Sequence, residues 1–233
     1  MTVAVMQPYF FPYLGYFQLI NAVDYFVFYD DVNFIKGGWI NRNRILIAKE
    51  PSYFSVPLLG ASSFKKINEI DIDFNEKMQS RLIKSIRLNY SKAPFFSDVM
   101  PIIESVISKS GQNLAQIAAN SICSVANYLT LGTTFYFSSE LNFGHKSTDR
   151  ADRLVEIVNG FNGKTYINAQ GGKALYSKAF FQSNGIELKF IKSNLVAYRQ
   201  NSNAFIPGLS IIDVLMHNSK IEVLSMLNQF ELE

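Results

Sequence analysis

The first thirty or so residues follow the order strand, turn, helix and strand, and this order constrains the fold more than any other feature. VAVMQ (Val3–Gln7) is an apolar run typical of a short buried strand, and YLGYFQLINAVD (Tyr13–Asp24) has apolar residues at helical spacing. YFVFYDDV (Tyr25–Val32) predicts a second strand, because aromatic and β-branched residues favour strands. Two strands joined by a helix form a βαβ unit, so we expect an α/β fold with a Rossmann-like, mostly parallel sheet.

The rest of the chain extends this pattern and adds an insertion. ILIA (45–48) and YFSVPL (53–58) predict an antiparallel hairpin across the polar turn KEPS (49–52). Residues from about 75 to 131 have the periodicity of three amphipathic helices, which predicts a helical subdomain within a single α/β domain spanning 1–233. Strand and helix patterns then alternate again in TTFYFSSEL (133–141), STDRADRLVEIVNG (147–160), TYINAQGG (165–172), KALYSKAFFQSNG (173–185) and IELKFIKS (186–193).

Composition excludes several classes of protein. A chain of 233 residues with 48% apolar side chains can bury a sizeable core, and its 22 Lys and Arg residues are scattered around a net charge of +3. We therefore expect no nucleic-acid partner. Secretory-signal features and apolar runs of spanning length are both missing, so we expect a cytoplasmic protein without membrane insertion. One cysteine and two histidines give neither a disulfide nor a zinc motif, and we expect no metal site.

The turn after the first strand predicts the floor of a binding site. Gln7 and the prolines that follow it break regular structure at the carboxyl end of a strand, which is where open α/β sheets bind ligands. A helix beginning near Tyr13–Gly15 presents free backbone N–H groups to an anion, and Gly15 would let a ligand approach closely.

A polar constellation follows the second strand and predicts further ligand contacts. Lys36 and Arg42 suit a diphosphate, because Lys is a compact charge and Arg a planar fork that grips two oxygens. Trp39 offers an aromatic face to a base or a sugar ring, although packing within a hairpin would place it equally well. Asn41 and Asn43 could bond sugar hydroxyl groups.

A second element of the same crevice is NAQGGKALY (168–176), which joins a predicted strand to a helix. Gly172 frees the backbone, and Lys173 opens the helix, an arrangement that suits a phosphate or a carboxylate. A tight strand-to-helix turn without a ligand would look similar.

The spacing of Tyr13, Gly15 and Tyr16 is similar to the HIGH signature of nucleotidylyltransferases and of pantothenate-synthetase-like ligases, which holds ATP phosphates at the first helix. Tyrosines stand at both histidine positions. A neutral phenol cannot supply the imidazolium charge that favours adenylyl transfer. The similarity therefore favours the fold more than the ATP chemistry.

MQPYFFPYLGYFQLINAVDYFVFYDDVNFIKGGWINRNRI (6–45) resembles the WbqC-like protein family. YINAQGGKALY (166–176), GIELKFI (185–191) and PGLSIIDVLMHN (207–218) extend the resemblance over almost the whole chain. The resemblance implies a protein from a bacterial O-antigen or other surface-polysaccharide gene cluster. It also implies a glycine or aminoacyl transferase acting on an amino sugar.

Acyl transfer to an amine requires the neutral amine, so a carboxylate near the acceptor nitrogen would serve as general base or positioning group. Asp31 or Asp30 is the candidate, because both follow the second strand. Adjacent residues on a strand point to opposite faces, so we expect only one of them to serve the site. A magnesium ion held by one aspartate is a weaker alternative.

The first hypothesis is thus a transferase that attaches an amino acid, such as glycine, to the amino group of a nucleotide-linked deoxyamino sugar. The acyl group would arrive either as an adenylate made from ATP or as a thioester on an acyl carrier protein. A non-catalytic protein that binds a sugar nucleotide or a carrier is one alternative, and a nucleotidylyltransferase is another. The sequence is also compatible with a homodimer.

Overall fold

A computed structural model describes residues 1–233 and shows a six-stranded sheet with helices on both faces. Its strand order is β10-β9-β8-β1-β2-β7, with every pair parallel except β9 and β10. A mixed α/β fold with a mostly parallel sheet is confirmed. The strands are β1 Thr2–Met6, β2 Tyr25–Phe28, β3 Arg42–Ile47, β4 Glu50–Ser55, β5 Leu58–Leu59, β6 Asp71–Ile72, β7 Thr134–Phe137, β8 Thr165–Ala169, β9 Glu187–Ser193 and β10 Phe230–Leu232.

Eight α-helices connect and cover these strands. α1 follows β1 directly, α2 to α4 form the insertion between β6 and β7, and α5 and α6 flank β8. Their bounds are α1 Leu14–Asn21, α2 Glu76–Tyr90, α3 Phe96–Ile107, α4 Leu114–Leu129, α5 Arg150–Gly160, α6 Lys178–Ser183, α7 Ile211–His217 and α8 Lys220–Leu227. None of them is both long and apolar enough to cross a membrane.

The chain reverses its direction across the sheet at β1. From β1 it moves outward to β2 and β7, then returns to place β8 on the other side of β1 and continues to β9. Residues on alternate positions of β1 therefore serve two different cores. Ala4 packs into a 38-residue cluster with α1 and the inserted helices, whereas Val3 and Val5 pack into a 12-residue cluster with α5 and α6.

The predicted hairpin is present, but its turn lies earlier than KEPS. β3 pairs with β4 from Arg42 opposite Ser55 to Ile47 opposite Glu50, so only Ala48 and Lys49 form the turn. Both have positive φ angles, 50° and 71°, which is the backbone geometry that matches the twist of a two-residue hairpin. Proline and serine suggested a turn at residues that the structure places in β4.

The turn between β1 and α1 is held in an unusual conformation by side chains from distant segments. Phe11 has a φ of 42°, which costs a non-glycine residue about 1–2 kcal/mol. Its N–H donates to Ser121 Oγ at 2.8 Å, and its carbonyl accepts from Asn43 Nδ2 at 2.8 Å and from Ser210 Oγ at 2.7 Å. These hydrogen bonds offset the strain and fix the floor of the site that follows β1.

The segment before α7 is anchored through a buried carboxylate. Asp213 is fully buried and accepts hydrogen bonds from Tyr90 at 2.8 Å and Tyr198 at 2.7 Å. Ser210 caps α7 by accepting from the N–H of Ile212. Because the N–H of Ile211 donates to the carbonyl of Pro12, this anchoring also supports the turn after β1.

Candidate functional site

The largest cavity lies at the carboxyl ends of β1 and β8, where the strand order reverses. Open α/β sheets bind their ligands at such a switch point. This switch-point cleft has a volume of about 970 Å³, enough for a sugar nucleotide. Of the residues that the sequence analysis selected, those lining the cleft are Gln7, Tyr13, Gly15, Tyr16, Lys36, Trp39 and Gly172.

On the α1 side of the cleft, two of these residues are used within the fold. The hydroxyl of the buried Tyr16 donates to the carbonyl of Gln7 at 2.8 Å, so it tethers the end of β1. A Cβ on Gly15 would lie 2.5 Å from Ser193 Oγ and would overlap the Tyr13 ring. Gly15 is therefore required by neighbouring protein atoms, whereas the sequence had suggested the close approach of a ligand.

The mouth of the cleft carries an aromatic stack with cations beside it. Trp39 is exposed, and its ring stacks on Tyr53 with centroids 6.1 Å apart. The guanidinium of Arg44 lies 5.7 Å from the Trp39 ring, and that of Arg42 lies 4.7 Å from the Tyr53 ring. Lys36 lines the cleft beside Trp39 and forms no ion pair.

On the opposite side, β8 and α5 contribute polar groups. Tyr166 and Asn168 are two residues apart on β8 and so share one face of the sheet. Tyr29, Tyr176 and Arg150 line the same cavity. A Cβ on Gly172 would lie 2.5 Å from Asn168 Nδ2, so this glycine makes room for the asparagine side chain.

The charges of the switch-point cleft all have one sign. Its charged lining residues are Lys36, Arg150 and Lys192, and the lining contains no aspartate, glutamate, histidine or cysteine. Lys192 is paired with Glu231 at 3.1 Å, which offsets its charge. Lys36 and Arg150 are left to attract an anionic ligand.

Asp30 and Asp31 lie in a separate cavity, which we call the acidic pocket. It has a volume of about 560 Å³ and is lined mainly by polar side chains. Tyr29 and Val32, the residues on either side of the two aspartates, line the switch-point cleft instead. The sequence analysis placed the two aspartates in one crevice with the residues of the switch-point cleft. The structure separates the aspartates from the cleft across the segment Tyr29–Val32. The lining residues are Asp30, Asp31, Lys66, Asn68, Glu69, Asn113, Ala115, Gln116, Phe137, Ser139, Glu140 and His145.

The carboxylate of Asp30 is occupied by hydrogen bonds within the fold. It is 2% exposed. It accepts from the N–H and Oγ of Ser139 at 3.0 and 2.7 Å and from Asn68 Nδ2 at 3.2 Å. These bonds fix the end of β2 to the turn that follows β7.

Asp31 forms an ion pair with Arg153 at 2.5 Å and accepts from Ser138 Oγ at 2.5 Å. The two charged side chains are only 10% and 14% exposed. Burial raises the pKa of Asp31, but the hydrogen bonds from Ser138 and Arg153 and the charge of Arg153 outweigh burial and lower it. A carboxylate with a lowered pKa is a weak proton acceptor, which is unfavourable for the general base predicted here.

Four further selected residues line neither cavity. Arg42 donates to the carbonyls of Gly37 and Gly38, and Lys173 pairs with Glu233. Asn41 Nδ2 donates to the carbonyl of Val56 at 3.1 Å. Asn43 is buried and holds the turn after β1, as described above. The structure therefore gives these side chains contacts within the fold.

Some cleft residues carried no signal in the sequence analysis. The sequence analysis singled out neither Arg150, in the helix pattern of 147–160, nor Tyr166, in the strand pattern of 165–172. The parallel pairing of β8 with β1 brings Tyr166 into the same cavity as Gln7, and the start of α5 brings Arg150 there. The available signal was that Tyr166 stands two residues before Asn168 on the same predicted strand, so that the two side chains share a face.

No three His, Cys, Asp or Glu side chains are grouped closely enough to hold a metal ion.

The fold and the cleft define a mixed α/β protein with a cavity at the topological switch point of its sheet. Residues 7–224 match the model of the WbqC-like protein family, and the chain belongs to that family. It is 26% identical over 218 residues to uncharacterized protein Rv1507c of Mycobacterium tuberculosis, covering 92% of this chain and 93% of the relative. No solved structure matches the chain.

Proposed function

We propose that this protein is a transferase that attaches an amino acid, such as glycine, to the amino group of a nucleotide-linked deoxyamino sugar in surface-polysaccharide biosynthesis. The observation that carries the proposal is the switch-point cleft, which combines cations, aromatic walls and no carboxylate. Membership of the WbqC-like family supports it, through the activity that the resemblance implies.

The cleft offers one group for each part of a sugar nucleotide. Lys36 would neutralise the diphosphate, and the exposed ring of Trp39 would stack on the base. The amides of Gln7 and Gln170 would bond the hydroxyl groups of the sugar.

The electrostatics of the cleft also favour the reacting form of the amine. Nearby positive charges disfavour an ammonium ion, so Lys36 and Arg150 would lower the pKa of a bound amino sugar. The neutral nitrogen would attack the acyl carbonyl carbon and form the C–N bond. The bond to the leaving group would break, and the amine proton would pass to water. Asp31 is not needed as a general base in this scheme.

The leaving group depends on which acyl donor the protein uses. A thiolate would leave if an acyl carrier protein delivered a thioester, and AMP would leave if the protein made an adenylate from ATP with magnesium. Tyr16 hydrogen-bonds Gln7, and its neutral hydroxyl cannot replace an imidazolium. We therefore favour the thioester over the adenylate, and favour a transferase over a nucleotidylyltransferase.

A second candidate is a non-catalytic protein that binds a sugar nucleotide or a carrier. The specific observation in its favour is that the cleft lining has no Asp, Glu, His or Cys. The side chains that most often act as nucleophiles or general bases are thus missing from it.

Mass spectrometry of the purified protein tests the proposal. The substrates are a nucleotide-linked 4-amino sugar with either free amino acids and ATP or a carrier-bound glycyl thioester. An amide adduct from either mixture supports a transferase, and its donor dependence identifies the leaving group. No adduct from either mixture, combined with binding of the sugar nucleotide, would favour the binding protein.

Lys36→Ala should reduce adduct formation at limiting sugar nucleotide, because it removes a charge beside the diphosphate. Lys49→Ala is the matched control, since Lys49 lies in the turn between β3 and β4 and lines neither cavity.

Asp31→Asn tests directly whether Asp31 is the general base. Turnover equal to that of the wild type would exclude Asp31 as the base, whereas a folded protein without turnover would restore that role.

A further inference from the structure

One part of the switch-point cleft is lined by β8, by the first residue of α5 and by tyrosines that follow β2 and β8 along the chain. We call it the tyrosine branch and define it by five residues: Tyr29, Arg150, Tyr166, Asn168 and Tyr176. The α1 side of the cleft, with Lys36 and Trp39 at its mouth, is where the sugar nucleotide was placed. Of these five residues only Arg150 has a role in that arrangement, through its charge, so the chemistry of the other four has to be explained separately.

Two buried side chains of the tyrosine branch have hydrogen-bonding groups without a partner in the protein. Tyr166 is only 1% exposed, and its hydroxyl makes no hydrogen bond to another residue. Asn168 is 6% exposed, and its Oδ1 accepts from the N–H of Ala169 at 2.8 Å. Because this bond uses Oδ1, Nδ2 is the group of the Asn168 amide without a partner. Neither the Tyr166 hydroxyl nor Asn168 Nδ2 is among the fully enclosed polar atoms without a partner, so each is open to the cleft and free to donate to a bound molecule.

The groups in this branch are mainly hydrogen-bond donors. Burial, followed by the nearby Tyr176 and Tyr29, raises the pKa of Tyr166 well above its ordinary value, so its hydroxyl keeps its proton. Burial likewise raises the pKa of Tyr176. Arg150 adds a positive charge that forms no ion pair. No carboxylate lines the cleft to accept from an ammonium group, so a ligand rich in acceptor oxygens fits best.

We propose that the tyrosine branch is an oxyanion-binding site that takes a phosphate or a carboxylate group. The hydroxyls of Tyr166 and Tyr176 and Nδ2 of Asn168 donate to its oxygens, and Arg150 supplies the balancing charge. Gly172 is part of this site, because a larger residue would occupy the space of the Asn168 amide. The site does not depend on the transferase chemistry, since a binding protein would use it in the same way.

Isothermal titration of the full chain tests the site with two probes, pyrophosphate for the phosphate source and N-acetylglycine for the carboxylate source. Tyr166→Phe removes a single oxygen atom and should weaken binding of the preferred probe about tenfold. Asn168→Ala should have a similar effect. Tyr136→Phe is the matched control, because Tyr136 lies on β7 of the same sheet, packs against Tyr25 and Phe161, and lines neither cavity.

Each outcome is decisive. If only pyrophosphate binds, and Tyr166→Phe weakens its binding, the site takes a phosphate. If only N-acetylglycine binds, and Tyr166→Phe weakens its binding, the site takes a carboxylate. If neither probe binds, or if Tyr166→Phe binds as tightly as Tyr136→Phe, the site is wrong. If the protein forms the amide from the sugar nucleotide but Tyr166→Phe does not change probe binding, this site is wrong and the transferase proposal stands. Variant-sensitive binding without amide formation would overturn the transferase alone. Should Asn168→Ala fail to fold, Tyr166→Phe still decides the question.

Discussion

The switch-point cleft and the acidic pocket lie at the carboxyl ends of neighbouring strands, yet their polar groups are used differently. In the acidic pocket, Asp30 and Asp31 have their oxygens taken by serine hydroxyls, an amide, a backbone N–H and Arg153. In the cleft, Lys36, Arg150 and Asn168 Nδ2 have no such partners. Polar groups that are satisfied within the fold stabilise it, whereas polar groups that are left open are available to a ligand. The position of a residue at a strand end does not distinguish these two cases.

The largest effect should come from two arginines on α5 that belong to different cavities. Arg153→Leu leaves Asp31 buried without its counter-charge and should lower the free energy of unfolding by about 3 kcal/mol. Arg150→Leu removes an exposed charge without a partner and should change stability by less than about 0.5 kcal/mol, while weakening the binding of an anionic ligand. Urea denaturation and titration with UDP measure both properties. Equal destabilisation by the two substitutions would remove the distinction between the cavities.

Two glycines of the cleft should differ in stability by a smaller amount. Gly15→Ala forces a Cβ against Ser193 and the Tyr13 ring and should cost about 2 kcal/mol. A Cβ on Gly171 would have no neighbouring atom within 4 Å, so Gly171→Ala should be neutral or stabilise the protein by about 0.5 kcal/mol. Thermal unfolding compares the two variants. A stable Gly15→Ala protein that has lost only ligand binding would show that this glycine serves the ligand after all.

The sequence predicted the sheet well because its signals are local. Apolar runs and helical spacing within 3–32 define β1, α1 and β2, and the rule for strand ends then places a crevice beside Gln7. The direction taken by Asp30 and Asp31 depends instead on Ser138 and Arg153, more than 100 residues away along the chain. No local pattern contains that information.

Asn43 and Tyr166 also show that sequence alone does not distinguish a ligand contact from a residue used within the fold. Asn43 looked like a ligand contact, yet its amide bonds the carbonyls of Phe10 and Phe11. Tyr166 was not singled out by the sequence, yet it lines the cleft. Only the assembled structure shows whether a polar atom is already satisfied.

Lys36→Ala should weaken the binding of UDP about tenfold, because a charged hydrogen bond contributes about 1.5 kcal/mol. Titration calorimetry at two salt concentrations measures this effect, and the loss should shrink as salt screens the wild-type charge. Arg42→Ala provides the comparison, since its guanidinium is bonded to the carbonyls of Gly37 and Gly38. A larger loss of affinity for Arg42→Ala than for Lys36→Ala would return the diphosphate to the predicted arginine.

The smallest effect is a difference in how the two cavities respond to pH. The folded-state pKa of Asp31 is lowered from 3.8, so its ion pair contributes stability that is present above that value and is lost as the pH falls through the folded-state pKa. Asp31→Asn should therefore show a shallower loss of stability than the wild type in urea denaturation at acidic pH. The cleft should show no comparable dependence at alkaline pH, because burial raises the pKa values of Tyr9, Tyr13 and Tyr166 above 10.0 and keeps the hydroxyls protonated. UDP affinity should stay constant between about pH 7 and 9. A decline in UDP affinity over that range would contradict the assignment of protonated tyrosine hydroxyls to the cleft.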